Sequence, residues 1–86
     1  MIAAATAMIE KVATRPWTYI LYRDGERLYL STICGSSTMY EIVIELDAQE
    51  LARYRERGQA YIDELAAKVC FSPDSYRARH IDIKLP

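Results

Sequence analysis

Cys34-Gly35-Ser36-Ser37 is where this chain comes nearest to a reactive site. A thiol placed where an extended segment meets a glycine turn can present sulfur to an electrophile, and the amides of such a turn can help to hold an oxyanion. The nucleophile would need a base, and His80 is the only histidine in the sequence. A small thiol-dependent enzyme using Cys34 with His80 is therefore the alternative reading. The plainer one, which we prefer, makes Cys34 a small apolar residue that closes a strand.

Other groups with chemical potential read as structural. Asp24 and Glu26 flank Gly25 and suit a turn better than a cation site. Glu41 and Glu45 mark the wet side of a strand and stand too far apart for a carboxylate dyad. Arg77, Arg79 and His80 cluster beside Tyr76, where they could meet an acidic partner or a phosphate, although a solvated helix end is the simpler account. No phosphate-binding glycine loop, Cys-x-x-Cys pair or His-Glu-x-x-His helix is present. The expectation is a non-enzyme with no cofactor and no metal.

The aromatic residues say more. There are seven tyrosines and one tryptophan against a single phenylalanine. A core alone would favour phenylalanine, whereas tyrosine packs its ring while keeping its hydroxyl wet and is enriched at interfaces. Tyr19 or Tyr22, together with Tyr29, falls on the strand face away from the core set, and an aromatic face of that kind needs a cover. The partner-binding candidates are Tyr19, Tyr22, Tyr29, Arg77 and Arg79, and the function expected is a non-catalytic protein-binding or self-associating module. A homodimer is the leading case, and a protein of immunity or antitoxin type, paired with a toxin, is its specific version.

The elements that would carry these residues follow from periodicity and turn chemistry. Residues 2–13 read as an N-terminal helix, with Ile2, Ala5, Ile9 and Val12 at helical spacing and Pro16 ending it by Thr14. Asp24-Gly25 between two apolar, aromatic runs predicts a hairpin joining strands 17–23 and 27–34. Gly35 to Thr38 reads as a turn, and 39–46 as a third strand with Tyr40, Ile42, Ile44 and Leu46 on one face. Leu28, Leu30, Thr32 and Cys34 are the matching set on the second strand. On the first strand, Trp17, Tyr19 and Leu21 compete with Thr18, Ile20 and Tyr22 for the inside.

Asp47 caps a long helix that runs to about Phe71, with Glu50 completing a capping-box pair. Its core stripe is Leu51, Tyr54, Gly58, Tyr61 or Ile62, Leu65 and Val69. Gly58 marks close packing on the sheet, with a kink or break as the alternative. Ser72-Pro73 stops this helix and starts a short one to about Arg79. The tail from residue 80 is an edge strand, a segment packed along the sheet, or a loose end, and a partly ordered tail is preferred.

Eighty-six residues make one small domain spanning 1–86, with 1–8 the segment expected to fray. A net charge of −1 with mixed signs gives no field to attract a polyanion, which argues against nucleic acid and membrane surfaces as partners. No run approaches the roughly 20 apolar residues that span a bilayer, and the N-terminus lacks the basic region of a secretory signal. Met8 is an alternative start to Met1. Two cysteines are too few for a disulfide scaffold. Both thiols read as reduced and mostly buried in a cytoplasmic protein, with one Cys34–Cys70 disulfide as the alternative.

The order helix, three-stranded meander, helix resembles that of a double-stranded-RNA-binding domain. In that family the second helix opens on a lysine-rich motif that clamps phosphates. Here Asp47-Ala48-Gln49-Glu50 stands in its place and would repel them, so the activity is not carried over. The string Trp17-x-Tyr19, Arg23 to Leu28, Cys34-Gly35, Glu45-Leu46 and Tyr54 resembles short bacterial proteins of uncharacterised role, which implies a bacterial cytosolic origin. The fold expected is α+β: an N-terminal helix, a three-stranded antiparallel meander, a long C-terminal helix packed on one sheet face, and a short helical turn and tail.

Overall fold

A computed structural model describes residues 9–35 and 39–82. The chain is α+β. Among the described residues, four antiparallel strands, β1 (Glu10–Arg15), β2 (Tyr19–Asp24), β3 (Arg27–Cys34) and β4 (Tyr40–Glu45), form one sheet in the order β1-β2-β3-β4, and three helices follow: α1 (Ala48–Arg57), α2 (Gln59–Phe71) and α3 (Pro73–Arg77).

The first departure from expectation is β1. The N-terminal helix was expected over 2–13, yet Glu10–Arg15 is a strand paired with β2; the earlier part of that helix lies outside the described residues. Pro16 is the reason. It stands second in a four-residue turn in which the Thr18 N–H donates to the Arg15 carbonyl at 3.0 Å, and Trp17 in third place has φ 64°. Proline followed by a positive φ is the type II pattern, which reverses the chain and brings residues 10–15 back against β2. The backbone of β2 thereby gains a partner on its second side, and a helix there would have left it open. Trp17, expected to open a strand, is in the turn.

The Asp24-Gly25 hairpin forms where expected, with Gly25 at φ 63° and Asp24 opposite Arg27. β3 takes its expected bounds, and β2 and β4 differ from expectation by one or two residues at their ends. Inside the sheet the choice on β2 falls to Tyr19 and Leu21, which join Leu28, Leu30, Ile42 and Ile44 under the helices. Tyr61, Ile62, Leu65, Ala66 and Val69 of α2 complete this core. Burying side chains of this size is worth about 1.5–3 kcal/mol each.

The long helix is two helices. Asp47 and Glu50 form the expected capping box: the Glu50 N–H donates to Asp47 Oδ1 at 2.9 Å and the Asp47 N–H to Glu50 Oε1 at 2.9 Å. The helix then breaks at Gly58, whose φ 67° and ψ −146° belong to a region that only glycine occupies without strain. A Cβ at Gly58 would meet nothing within 4 Å, so close packing on the sheet, the reading first preferred, does not explain this glycine. It re-aims the chain between α1 and α2. Ser72-Pro73 ends α2 and starts α3 as expected, although Ser72 makes no side-chain cap bond.

The tail begins along the free edge of β4. Val43 donates its N–H to His80 Nδ1 at 3.0 Å, and the Ile81 N–H donates to the Val43 carbonyl at 2.9 Å. Two polar groups on an edge strand are thereby satisfied by the chain itself.

Candidate interaction face

Two of the chemical readings end at sulfur. Cys34 and Cys70 are joined by a disulfide with their Cα atoms 5.2 Å apart, and Cys34 is buried. The expected reduced thiols are absent and Cys34 has no nucleophile to offer. Two thiols set 36 residues apart in sequence were brought together by the register of β3 and the packing of α2 on it. His80 is engaged with the β4 backbone through Nδ1.

The five expected partner-binding residues do not share a surface. Tyr19 is in the core beneath α2. Its hydroxyl donates to Asp63 Oδ1 at 2.6 Å and accepts from Gln59 Nε2 at 3.0 Å, while Arg15 donates to both Asp63 oxygens at 3.0 Å. The Arg15 guanidinium, and secondly the Tyr19 hydroxyl, hold the Asp63 carboxyl below its ordinary range. Burial, and secondly the bond to Asp63, pushes the Tyr19 phenol up. This cluster locks the first hairpin to α2.

Tyr22 and Tyr29 do lie opposite one another on the sheet face away from the helices, as the alternation predicts. Each is only 4% exposed, and Ser31 and Val43 on the same face are buried with them. The expected wet aromatic face is therefore dry at its two rings and at Val43, with Ile20 and Ile33 half-buried and Glu41 and Glu45 exposed around them. Burial, with a further contribution from Glu41, raises the Tyr22 phenol.

Arg79 is spent internally. Its guanidinium donates to Glu50 Oε2 at 2.9 Å, to Glu50 Oε1 at 2.7 Å and to the Glu45 carbonyl at 2.9 Å. Glu50, expected as the partner of Asp47 in the capping box, is 7% exposed as a result. Arg77 alone of the five stays exposed, with its Cζ 5.2 Å from the Tyr40 ring centroid. A cavity of about 410 Å³ lies there between Tyr40, Glu41, Ile42, Arg77 and His80, while the Glu41 carboxylate accepts from the Ser31 hydroxyl on the other sheet face.

What the sequence reading missed is apolar. Phe71 at the end of α2 is 89% exposed, Trp17 81% and Met39 53%. All three belong to one end of the sheet. The Ile33 N–H donates to the Thr18 carbonyl at 2.9 Å, which sets the Trp17 turn beside the end of β3. Cys34 pairs with Tyr40, next to Met39, and its disulfide carries Cys70 and so Phe71 to the same place. Trp17 lines a small cavity with Ile20, Ser31 and Ile33 on the sheet face away from the helices, whereas Phe71 is on the helix side, so the three share an end of the sheet and not one continuous patch. Trp17 is also held at a positive φ that a bulky side chain resists, and the turn itself gains nothing from an indole.

Beside Phe71 runs a groove of about 560 Å³ lined by Ala67, Lys68, Phe71, Ser72, Ser75 and Tyr76. The outer face of α2 leads into it. Ala60, Glu64, Ala67 and Phe71 recur at positions i, i+4, i+7 and i+11, all exposed. The inner face of α2 is in the core, and its outer face sets Ala60, Ala67 and Phe71 around one carboxylate, Glu64, which is less charge than a surface helix ordinarily carries outward. The usable signal in the sequence was Ala60, Ala67 and Phe71 on the side opposite the expected core stripe. Among the described residues no group of acidic, histidine or cysteine side chains has the arrangement to hold a metal ion, and no helix is long and apolar enough to cross a membrane. Compared with known protein families, curated proteins and solved structures, the chain matches none.

Proposed function

We propose that this protein is a non-catalytic binding module that recognises a protein surface through the outer face of α2 and the sheet end bearing Trp17, Met39 and Phe71. The observation that carries this reading is Phe71, a large apolar side chain almost wholly in water at the mouth of an apolar groove. Burying such a ring is worth about 1.5–3 kcal/mol, a gain its own fold forgoes and a partner recovers. Aromatic anchors entering or flanking a pocket are the residues that dominate protein interfaces.

The same reading takes the tyrosines as internal and moves the contact surface from the sheet to the helix. It also places the chain where disulfides persist. The cytoplasmic expectation rested on the lack of a secretory signal and of a membrane span as well as on two reduced thiols, and a bridge between Cys34 and Cys70 favours an oxidising compartment.

The test is Phe71→Ser in the full-length chain. Wild-type and variant proteins are compared for mass in solution and for proteins retained from the native cell. Loss of self-association or loss of a retained protein is the expected result. Unchanged mass together with an unchanged set of retained proteins would show that the face is idle.

A further inference from the structure

We infer that the partner of this face is a second copy of the same chain, paired through α2 in antiparallel fashion about a two-fold axis abreast of Ala66; this rests on the binding reading above and names its occupant. The argument is one of self-complementarity. A two-fold contact requires that each residue find its match on the same surface.

On α2 the bulky and the small positions are arranged for this. At 1.5 Å per residue, Phe71 lies about 7.5 Å from such an axis on one side and Tyr61 the same distance on the other. The exposed position nearest Tyr61 on the outer face is Ala60. Phe71 of each copy therefore comes over Ala60 of the other, a ring against the smallest side chain available. Ala67 falls close to the axis, where two helices must approach one another most closely.

The charges match as well. Lys68 and Glu64 are four residues apart and share one flank of the helix. In an antiparallel pair related by a two-fold axis, the same flanks of the two helices face each other. Lys68 lies about 3 Å along the axis on one side and Glu64 about 3 Å on the other, so each Lys68 meets Glu64 of the second copy. Glu64 already receives Arg57, which donates from Nη1 to Oε1 at 3.1 Å, while Lys68 of the same helix acts on Glu64 only through space and closes no ion pair among the described residues. The second copy supplies the missing one, twice. A foreign partner would need to present this same pattern of cation and anion by coincidence; the chain itself presents it necessarily.

The experiment is the mass of the oxidised full-length protein by analytical ultracentrifugation across a wide concentration range. The wild type is expected to reach twice the chain mass. Ala67→Arg, an outward change on an exposed turn of helix, is expected to weaken the dimer at least about tenfold while leaving the melting temperature of the monomer in place. Lys68→Glu is expected to weaken it by about tenfold, and Glu64→Lys combined with Lys68→Glu to recover most of the loss, because exchanging both charges restores the pairing. That recovery is a readout that misfolding does not produce. A wild type that stays monomeric at every concentration overturns the inference, as does a dimer indifferent to Ala67→Arg or one that the double exchange fails to restore. A monomer that still loses a retained cellular protein on Phe71→Ser would overturn the second copy as occupant and leave the binding reading standing.

Discussion

Thr32 is the residue whose chemistry the fold leaves unanswered. It points into the core between Tyr19 and Ile42, and its hydroxyl has no hydrogen-bond partner among the described residues. A buried polar group without a partner costs about 1–3 kcal/mol. Thr32→Val keeps the shape and removes the oxygen, so it is expected to stabilise the protein by about 1 kcal/mol in a urea titration. A destabilised variant would mean that the hydroxyl is satisfied after all. Asp63 behaves in the opposite sense. Because Arg15 and Tyr19 lower its pKa on folding, it is charged in the native state at a pH where the unfolded chain takes up a proton. Its contribution to stability is present above the ordinary aspartate range and disappears as pH falls through the lower native value. Asp63→Asn is expected to flatten that acid limb of the stability–pH curve, measured by thermal melting at successive pH values; an unchanged limb would exclude Asp63 as its source.

Among the elements, α2 depends most on a single covalent link. Its C-terminal end is tied to the end of β3 by Cys34–Cys70, which closes a loop of 36 residues. On the loop-entropy account such a closure is worth about 4 kcal/mol, a large share of the stability available to a chain of this size. Reduction, or Cys34→Ser with Cys70→Ser, is expected to lower the unfolding free energy by about 2–4 kcal/mol in denaturant titrations. A loss below about 0.5 kcal/mol would show that packing alone holds α2. The break at Gly58 is the other decision made at this scale. Hydrophobic spacing runs through Gly58 without interruption, so the pattern reads as one helix; what separates two is a backbone conformation that spacing does not encode.

In the molecule as a whole, stability and recognition occupy different places. The core lies between sheet and helices, Tyr22, Tyr29 and Val43 are buried behind the sheet, and Trp17, Met39 and Phe71 are largely in water. Replacing these three together by serine is expected to shift the melting temperature by only a few degrees, as for exposed sites in general, while abolishing association. A collapse in melting temperature would place them in the fold and not at an interface. The amino-acid sequence by itself determined the hairpin at Asp24-Gly25, the bounds of Arg27–Cys34, the capping box at Asp47 and the inward faces of the second and third expected strands, because these follow from φ preferences, two-residue alternation and contacts three residues apart. Only the tertiary structure decided that residues 10–15 extend the sheet, that the tyrosines are dry, that Arg79 answers Glu50 across 29 residues and that the two cysteines join. Each of those depends on which distant surface arrives to cover or to bond a group, and that is set by the packing of whole elements.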